Sequence, residues 1–347
     1  MNADVWLIDA SGRRTPDTLS APIGSVGSQG EVWELRAHTG AIAKILHRAG
    51  DLSERMRVML AAPAAWTRPD GRLTVAWPEA TVHRRADGRL LGYAAPKLAA
   101  PRFAPLALLF NPAVRARMLP GATWLWWLAV AEDLARIVHT VHQRGHVIGD
   151  LAPANLFVSA DGGVCLIDAD GWQVHDERAG TDLLCAFSRP EYTAPEELDA
   201  PTRRRDPASD RWALAVLVAQ LLSVGFHPYG GVPRGVDGPV EEVDNVRARR
   251  CRLLGADVRT PPGAVPVEVL PPVLRRRLAE ALDAGHDAPE QRPDASAWAA
   301  GLAHSRRKLA TCAARATHVF AAGPAGCPWC AMVAAGGRDP FPGGGRR

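Results

Sequence analysis

The chain has 347 residues, of which 47% are hydrophobic and 22% are charged, so disorder over its whole length is excluded and two or three packed units are expected. Its net charge of +4 comes from scattered basic residues that form no stripe suited to a nucleic acid. The longest apolar run, residues 212–226, is shorter than the roughly 20 residues that a membrane helix needs, and no signal peptide is visible. We therefore predict a buried helix in this run, no membrane partner and a cytoplasmic location.

The predicted elements change in character along the chain. Runs of β-formers with turns between them predict strands at 5–9, 31–35, 41–46, 73–77 and 89–95, and a helix at 53–62. Apolar residues at helical spacing then predict helices at 124–142, 212–226, 273–284 and 295–308, with two short strands at 155–159 and 164–168. This order predicts an α+β protein in which a strand-rich part of about a hundred residues precedes a larger helical part, with a cleft between the two.

A loop of Gly and Ser at residues 23–30 contains Gly24, Gly27 and Gly30 and is followed by Val32. Glycine lets backbone N–H groups approach a phosphate without a Cβ in the way. Lys44 lies in the next apolar strand, where its ammonium needs a partner such as a phosphate. Taken separately, the loop is equally a plain turn, and the lysine is equally one whose head extends into solvent.

The segment at residues 147–171 carries the strongest signal. Asp150 and Asn155 are five residues apart on a loop before one predicted strand, and Asp168 follows the next strand. Two carboxylates and an amide at neighbouring strand ends suit Mg²⁺ bound to phosphates. Phosphoryl transfer also needs a covering loop, a lysine and a base, so the chain offers a candidate for each part of an ATP-dependent phosphotransferase.

From about residue 23 to residue 302 these motifs resemble those of the protein kinase superfamily. The resemblance implies a two-lobed kinase-like fold, with a small strand-rich N-lobe and a large helical C-lobe, and the cofactors ATP and Mg²⁺. It implies that Asp150 is the catalytic base, that Lys44 is the catalytic phosphate clamp, and that Asn155 and Asp168 are the Mg²⁺ ligands. It further implies that a serine or threonine hydroxyl of a protein substrate receives the γ-phosphoryl group.

Four further residues receive structural roles from the same resemblance. Glu196, in the sequence TAPEE, is expected to pair with Arg292. Asp210 is expected to brace the catalytic loop, and Glu54 is the candidate for the glutamate of the N-lobe helix. These features favour the protein-kinase form over the small-molecule kinases, which GDLAPAN and IDAD also resemble.

The hinge between the lobes is expected at Pro96. Its missing N–H is tolerable there, because only its carbonyl is needed for adenine. Leu98 is expected to donate its backbone N–H to the same base.

A closer resemblance is to a bacterial group of kinase-like proteins that share AKI-x-H, GDL, ID-x-D, HPYGG-like and CPWC motifs. Members of that group are often associated with a PP2C-type phosphatase and a von Willebrand A-domain protein, which are the partners that the resemblance implies.

The sequence departs from the general kinase pattern near its catalytic aspartate. Ile148 and Gly149 stand where His-Arg is usual, so switching by phosphorylation of the activation segment is not expected. Ala152 stands where serine/threonine kinases have a lysine, and Ser25 stands at the first glycine of the loop. These departures keep a third reading open, a nucleotide-binding pseudokinase scaffold.

Four metal-ligand residue types crowd the last part of the chain: Cys312, His318, Cys327 and Cys330. The spacing C-x5-H-x8-C-x2-C predicts a structural zinc site with four protein ligands. A redox pair at CPWC is the alternative, but it lacks the expected βαβ context. The predicted regions are an N-lobe at 1–97, a C-lobe at 98–305, a zinc-binding element at 306–336 and a flexible tail at 337–347.

Overall fold

The structure, a computed structural model, describes residues 3–24, 27, 29–48, 52–61, 66–98, 102–185, 187–199, 204–324 and 326–343. Ser25, Val26 and Ser28 of the predicted glycine loop, and the helix end predicted at residue 62, lie outside the described residues. The strands are β1 (Ala3–Asp9), β2 (Arg14–Ile23), β3 (Gly30–Leu35), β4 (Ala41–Leu46), β5 (Ala80–Arg84), β6 (Leu90–Pro96), β7 (Ala104–Pro105), β8 (Leu156–Val158), β9 (Val164–Leu166), β10 (Val174–Asp176), β11 (Thr181–Leu183), β12 (Val232–Pro233), β13 (Val258–Arg259), β14 (Leu309–Thr311) and β15 (Val319–Ala321). The helices are α1 (Leu52–Ala61), α2 (Leu106–Leu109), α3 (Pro112–Met118), α4 (Trp124–Gln143), α5 (Pro207–Leu222), α6 (Glu242–Arg247), α7 (Pro272–Ala279), α8 (Gly285–Asp287), α9 (Ala295–Arg306) and α10 (Pro328–Ala334).

The chain divides into two compact units that do not follow the predicted boundary at residue 97. The first unit comprises Met1–Ala100 together with Cys165–Leu183, and the second comprises Pro101–Val164 with Leu184–Arg347. The sequence analysis assigned residues 165–183 to the later region, because only long-range contacts tie this segment to the first hundred residues.

The first unit is built on a closed antiparallel barrel with the strand order β1-β2-β3-β4-β6-β5. Side chains such as Val5, Leu35, Ala43 and Val82 fill its interior. The strand prediction at 41–46 is confirmed by β4. Strand β2 escaped prediction because two prolines interrupt its pattern, and its register with β3 shifts next to one of them, Pro22.

The predicted strand at 73–77 is wrong. Leu73 and Val75 form only isolated bridges, to Thr67 and to Leu166 respectively, so no ladder extends through this run. The bridge to Leu166 nevertheless joins Cys165–Leu183, hereafter the returning segment, to the first hundred residues of this unit.

Aromatic packing and an ion pair hold this returning segment in place. The Trp172 ring lies 6.2 Å from Trp66 and 6.0 Å from Trp77, in edge-on geometry. Arg57 on α1 donates to the buried Asp176 at 2.8 Å. The segment therefore shares a core and a salt bridge with the rest of the first unit, although it follows Asp150 and Asn155 in sequence.

The core of the second unit is formed by long helices with buried tryptophans. Trp124 on α4, Trp212 on α5 and Trp298 on α9 are all fully buried. The buried helix predicted at 212–226 is confirmed over residues 212–222, within a helix that begins at Pro207 and ends at Leu222. The helix predicted at 273–284 instead divides into α7 and a π-helical turn at Glu280–Ala284. In the described parts of the chain, no helix is both long and apolar enough to cross a bilayer.

The last part of the second unit consists of the β14–β15 hairpin followed by α10. Trp329 of α10 is fully buried and lies 5.9 Å from Trp124 and 5.0 Å from Phe341, measured between ring centroids. Thr317 donates its hydroxyl to the carbonyl of Phe341 at 2.7 Å. Within the tail predicted at 337–347, the aromatic side chain of Phe341 therefore packs into the core.

A buried arginine joins three parts of the second unit. Arg292 donates two bonds of 2.7 Å to Glu196, one of 2.7 Å to the carbonyl of Gly285 and one of 2.9 Å to that of Ala208. Its guanidinium also lies over the Trp212 ring at 5.2 Å. Such a planar, bidentate arrangement needs arginine rather than lysine.

We expect Arg292→Ala to lower the free energy of unfolding of the second unit by about 3 kcal/mol, because Glu196 and two carbonyls lose their donor. Arg292→Lys should restore only part of this loss. Denaturant unfolding followed by tryptophan fluorescence measures the change. The matched control is Arg234→Ala, whose exposed pair with Asp257 should contribute less than about 1 kcal/mol; equal losses for the two alanine variants would contradict the prediction.

Candidate active site

In the first unit, the side chain of Lys44 is buried among carboxylates. Its ammonium lies 3.3 Å from Asp168, 3.0 and 3.2 Å from the two carboxylate oxygens of Asp170, and 3.4 Å from the amide oxygen of Gln29. The Tyr93 hydroxyl donates to Asp170 at 2.6 Å. The lysine therefore points inward to partners rather than outward to solvent.

Burial and charge act in opposite directions on this lysine. Burial lowers the pKa of Lys44, but attraction to Asp170 and then Asp168 more than offsets it, so the pKa lies above its ordinary value. Burial, followed by repulsion from the charge of Asp170, raises the pKa of Tyr93 well above its ordinary value. Lys44 therefore stays charged, and Tyr93 stays a hydrogen-bond donor, across the neutral range.

The glycine loop leads into β3, which pairs with β4, the strand that carries Lys44. Val32 is the register partner of Lys44, and the backbone N–H of Gly27 donates to the carbonyl of Gly30 at 3.0 Å. A Cβ on Gly30 would lie 2.1 Å from the carbonyl oxygen of Ile45, so only glycine fits there. Gly24 follows the end of β2.

The other two predicted nucleotide-binding positions lie at the end of β6. Pro96 is the last residue of the strand, pairs with Ala41 and lines a cavity of about 230 Å³ together with Trp66 and Glu79. Leu98 follows two residues later and is half-buried.

Glu54, the candidate helix glutamate, does not pair with Lys44. Its carboxylate lies on α1 and accepts two bonds from Arg57, at 3.1 and 2.7 Å. Attraction to this arginine lowers the pKa of Glu54. The carboxylate that pairs with Lys44 is instead Asp170, two residues after Asp168.

In the second unit, the loop that follows α4 carries Asp150 and Asn155. The amide nitrogen of Asn155 donates to the backbone carbonyl of Asp150 at 2.8 Å and to its Oδ2 at 2.9 Å. Arg189 also donates to Oδ2, at 2.6 Å. Oδ1 of Asp150 is buried and has no hydrogen-bond partner among the described residues.

The carboxylate of Asp210 fixes the backbone of this loop. It accepts hydrogen bonds from the backbone N–H groups of Ile148 at 2.7 Å and Gly149 at 2.8 Å, and its Oδ2 lies 2.9 Å from His142 Nε2. Asp210 is 1% exposed, so a buried carboxylate is balanced by two backbone donors and a histidine.

Gly149, which stands where the arginine of His-Arg is usual, has a steric explanation. Gly149 has φ +73, and a Cβ there would lie 2.6 Å from Cys185 Sγ and 2.9 Å from Arg205 Nη1. Arg205 is buried, donates to the Gly149 carbonyl and lies 3.2 Å from Glu197. An arginine from elsewhere in the chain thus occupies the space beside the loop.

Near the end of the chain, four ligand atoms converge. Those of Cys312, His318, Cys327 and Cys330 all lie within 4.8 Å of one another. The Sγ atoms of Cys312 and Cys330 are 3.7 Å apart, and His318 Nδ1 lies 3.4 Å from Cys330 Sγ. The group has the donor set and spacing of a tetrahedral metal site.

The sequence analysis missed the carboxylate that orients the histidine of this group. Asp339 lies 3.0 Å from His318 Nε2 and also accepts from Arg315 at 2.6 Å. A carboxylate on the second ring nitrogen directs the first nitrogen toward a metal. Asp339 was assigned to the flexible tail, and its local sequence carries no signal for this contact.

Curated relatives match nearly the whole chain. A protein named protein kinase YegI from Escherichia coli strain K12 is 31% identical over 341 residues, which are 96% of this chain and 51% of that protein. Its counterpart from Escherichia coli O157:H7 is 31% identical over 88% of this chain and 47% of its own length.

The chain is similar to bacterial proteins that are named as protein kinases. It spans about half the length of these curated relatives. A serine/threonine-protein kinase of Arabidopsis thaliana, AtPK1/AtPK6, is 31% identical over a shorter stretch, 29% of this chain and 22% of that protein. No family model matches the sequence.

The structure contains three contacts that the sequence motifs did not predict. Asp170 pairs with Lys44, Arg205 lies against Gly149, and Arg189 pairs with Asp150. Asp170 had a weak signal in the sequence ID-x-D. The two arginines had none, because their partners are 39 and 56 residues away in the chain.

We expect Asp170→Asn to lower the pKa of Lys44, because the largest attraction on the ammonium is lost while the burial that lowers the pKa remains. The chain has only three lysines, so NMR of ¹³C-labelled lysine side chains across a pH titration measures this directly. Lys97 and Lys308 are internal references. The matched control Asp176→Asn, which removes the partner of Arg57, should leave Lys44 unchanged; an unchanged titration in Asp170→Asn would refute the assignment.

Proposed function

We propose that this chain is an ATP- and Mg²⁺-dependent protein kinase that transfers the γ-phosphoryl group to a serine or threonine hydroxyl of a protein. The proposal rests on the hydrogen bonding of Asp150. Asn155 and Arg189 donate to its Oδ2, and its buried Oδ1 has no partner among the described residues. The Asp150 side chain is 20% exposed, so a substrate hydroxyl can reach this carboxylate and donate to it. The relatives named as protein kinases support the same reading.

In this proposal Asp150 acts as the base. The substrate oxygen bonds to the γ-phosphorus as the bond from that phosphorus to the bridging oxygen of ADP breaks, and ADP leaves with the electron pair. The hydroxyl proton passes to the carboxylate of Asp150. Asn155 and Asp210 keep the loop in position, so little reorganisation is needed during transfer.

Lys44 binds and neutralises phosphate oxygens in this scheme, and its raised pKa keeps it charged. Asp168 and Asn155 would hold Mg²⁺, which supplies charge neutralisation on the phosphates when bound. Both residues fit the ion. The carboxylate of Asp168 is 42% exposed beside Lys44, and Asn155 gives both amide hydrogens to Asp150, which leaves its side-chain oxygen for a cation.

A second candidate, the nucleotide-binding scaffold, is favoured by one contact. The guanidinium of Arg189 is 2.6 Å from the carboxylate that would act as the base. A protein that binds ATP without transferring phosphate has no need for Asp150 as a base, so this contact would then be purely structural.

For the Cys/His group we propose structural zinc. All four positions of a tetrahedral ion would be filled by Cys312, His318, Cys327 and Cys330, which leaves no open position for catalysis. Trp329 lies between two of these ligands in sequence and packs on Trp124 of α4. The ion would therefore hold the hairpin and α10 against the helical core.

The remaining expectations stay proposals drawn from resemblance. They are the partnership with a PP2C-type phosphatase and a von Willebrand A-domain protein, and the cytoplasmic location.

The transfer proposal is tested with purified chain, labelled ATP, Mg²⁺ and casein as acceptor. We expect label on casein serine or threonine, and Asp150→Ala should lower the rate by about 10²–10⁴-fold. Asp168→Ala should abolish transfer, whereas the exposed Asp257→Ala should not change it. ATP binding without transfer to casein or to small alcohols and aminoglycosides would replace the kinase proposal with the scaffold.

Elemental analysis should find one zinc per chain, and Cys327→Ala or Cys330→Ala should lose it. The control Cys251→Ala removes a buried thiol outside the group and should retain it. Asp339→Asn should weaken zinc binding about 10–100-fold, because His318 loses its orienting carboxylate. Full zinc retention in the Cys327 and Cys330 variants would rule out the site.

A further inference from the structure

The catalytic-loop segment of the second unit has a carboxylate and an amide but no cation of its own. Between Asp150 and Asn155 the chain reads Leu-Ala-Pro-Ala, and Ala152 is fully buried. Phosphoryl transfer places negative charge on the γ-phosphate oxygens, and enzymes of this kind set a basic side chain against that charge. The loop therefore lacks a group that its proposed chemistry needs.

Arg189 brings such a group to Asp150 from 39 residues away. Its Nη1 donates to Asp150 Oδ2 at 2.6 Å, and its side chain is 38% exposed. Among the described residues, Asp150 is the carboxylate paired with it, through one of the five N–H donors that a guanidinium carries. The rest of the guanidinium edge can bind phosphate oxygens, and arginine stays protonated throughout the working pH range.

The backbone of Arg189 is held so that this side chain is already in place. Its carbonyl accepts from the Tyr192 N–H at 2.9 Å and from the Thr193 hydroxyl at 2.8 Å, at the start of a 3₁₀ turn. The Tyr192 hydroxyl in turn donates to Gln220 of α5 at 2.8 Å, and both side chains are buried. The turn is therefore anchored to a core helix, which reduces the reorganisation needed when substrate binds.

We propose that Arg189 is a catalytic residue that stabilises the transferring phosphoryl group, in the place of a cation that the loop itself lacks. The inference rests on the proposed kinase function. During transfer Arg189 keeps one N–H on Asp150 Oδ2 and directs the others to the γ-phosphate oxygens, while the hydroxyl proton passes to the Asp150 carboxylate. No new bond to Arg189 forms and no proton leaves it.

The opposing role is an inhibitory lock, in which Arg189 merely occupies the base. The two roles predict opposite changes in the transfer rate when Arg189 is removed. Loss of an inhibitory contact raises the rate, whereas loss of a catalytic cation lowers it. The rate of Arg189→Ala therefore decides between them.

The experiment measures kcat and KM for ATP with casein as acceptor in the full chain. We expect Arg189→Ala to lower kcat by about 10²-fold or more with little change in KM, and Arg189→Lys to retain an intermediate rate. Added guanidinium ion at millimolar concentration should restore part of the Arg189→Ala rate but none of the Asp150→Ala rate. Arg234→Ala, an exposed arginine paired with Asp257, is the matched control and should keep the parent rate.

An Arg189→Ala rate equal to or above the parent rate would overturn the inference, as would a loss that guanidinium fails to restore in a variant whose circular dichroism and melting temperature match the parent. If the parent chain itself transfers no phosphate while it binds ATP, the proposed function fails and this inference fails with it. An active parent with an unaffected Arg189→Ala variant removes only the role of Arg189.

Discussion

A buried ammonium without a partner would destabilise the first unit by several kcal/mol. The ion pairs of Lys44 are therefore the interaction on which the arrangement of that unit depends. Its two carboxylate partners, Asp168 and Asp170, come from a segment more than 120 residues later in the chain. The ion pair therefore requires the segment to lie on the barrel, where Trp172 adds apolar packing. Tyr93 completes the arrangement by donating to Asp170, so that two charged groups are buried with most of their polar atoms paired.

In the second unit, buried charged side chains likewise pair with the loop that carries Asp150. A buried carboxylate, Asp210, satisfies two backbone N–H groups of the loop, and a buried arginine, Arg205, satisfies a carbonyl on its other side. Because Gly149 adopts positive φ and has no side chain, Arg205 can approach the backbone closely. The loop that presents Asp150 is thus fixed by charges that lie outside it.

The departures from the general kinase pattern are linked to these contacts. Glu54 is engaged by Arg57, and Asp170 pairs with Lys44 instead. Gly149 carries no side chain, and Arg205 fills the adjacent space. In each case the charge that one position lacks is present in space but comes from another part of the chain. The local charge is therefore present although the residue at a given motif position differs, so a departure in one motif does not by itself argue against the proposed activity.

The sequence by itself determined the features that depend on neighbours along the chain. Strand β4 with Lys44, helix α4 and the buried apolar helix α5 follow from local periodicity, and the spacing of four Cys and His residues indicated a group that does converge. The sequence did not predict strand β2, because its prolines are tolerated only through its place in the barrel.

Only the tertiary structure decided which side chains meet. Asp170 with Lys44, Arg189 with Asp150 and Asp339 with His318 are separated by 126, 39 and 21 residues. No periodicity links such positions. Their pairing follows from burial, which removes water as an alternative partner and makes each charged group depend on whichever opposite charge the fold brings within hydrogen-bond distance.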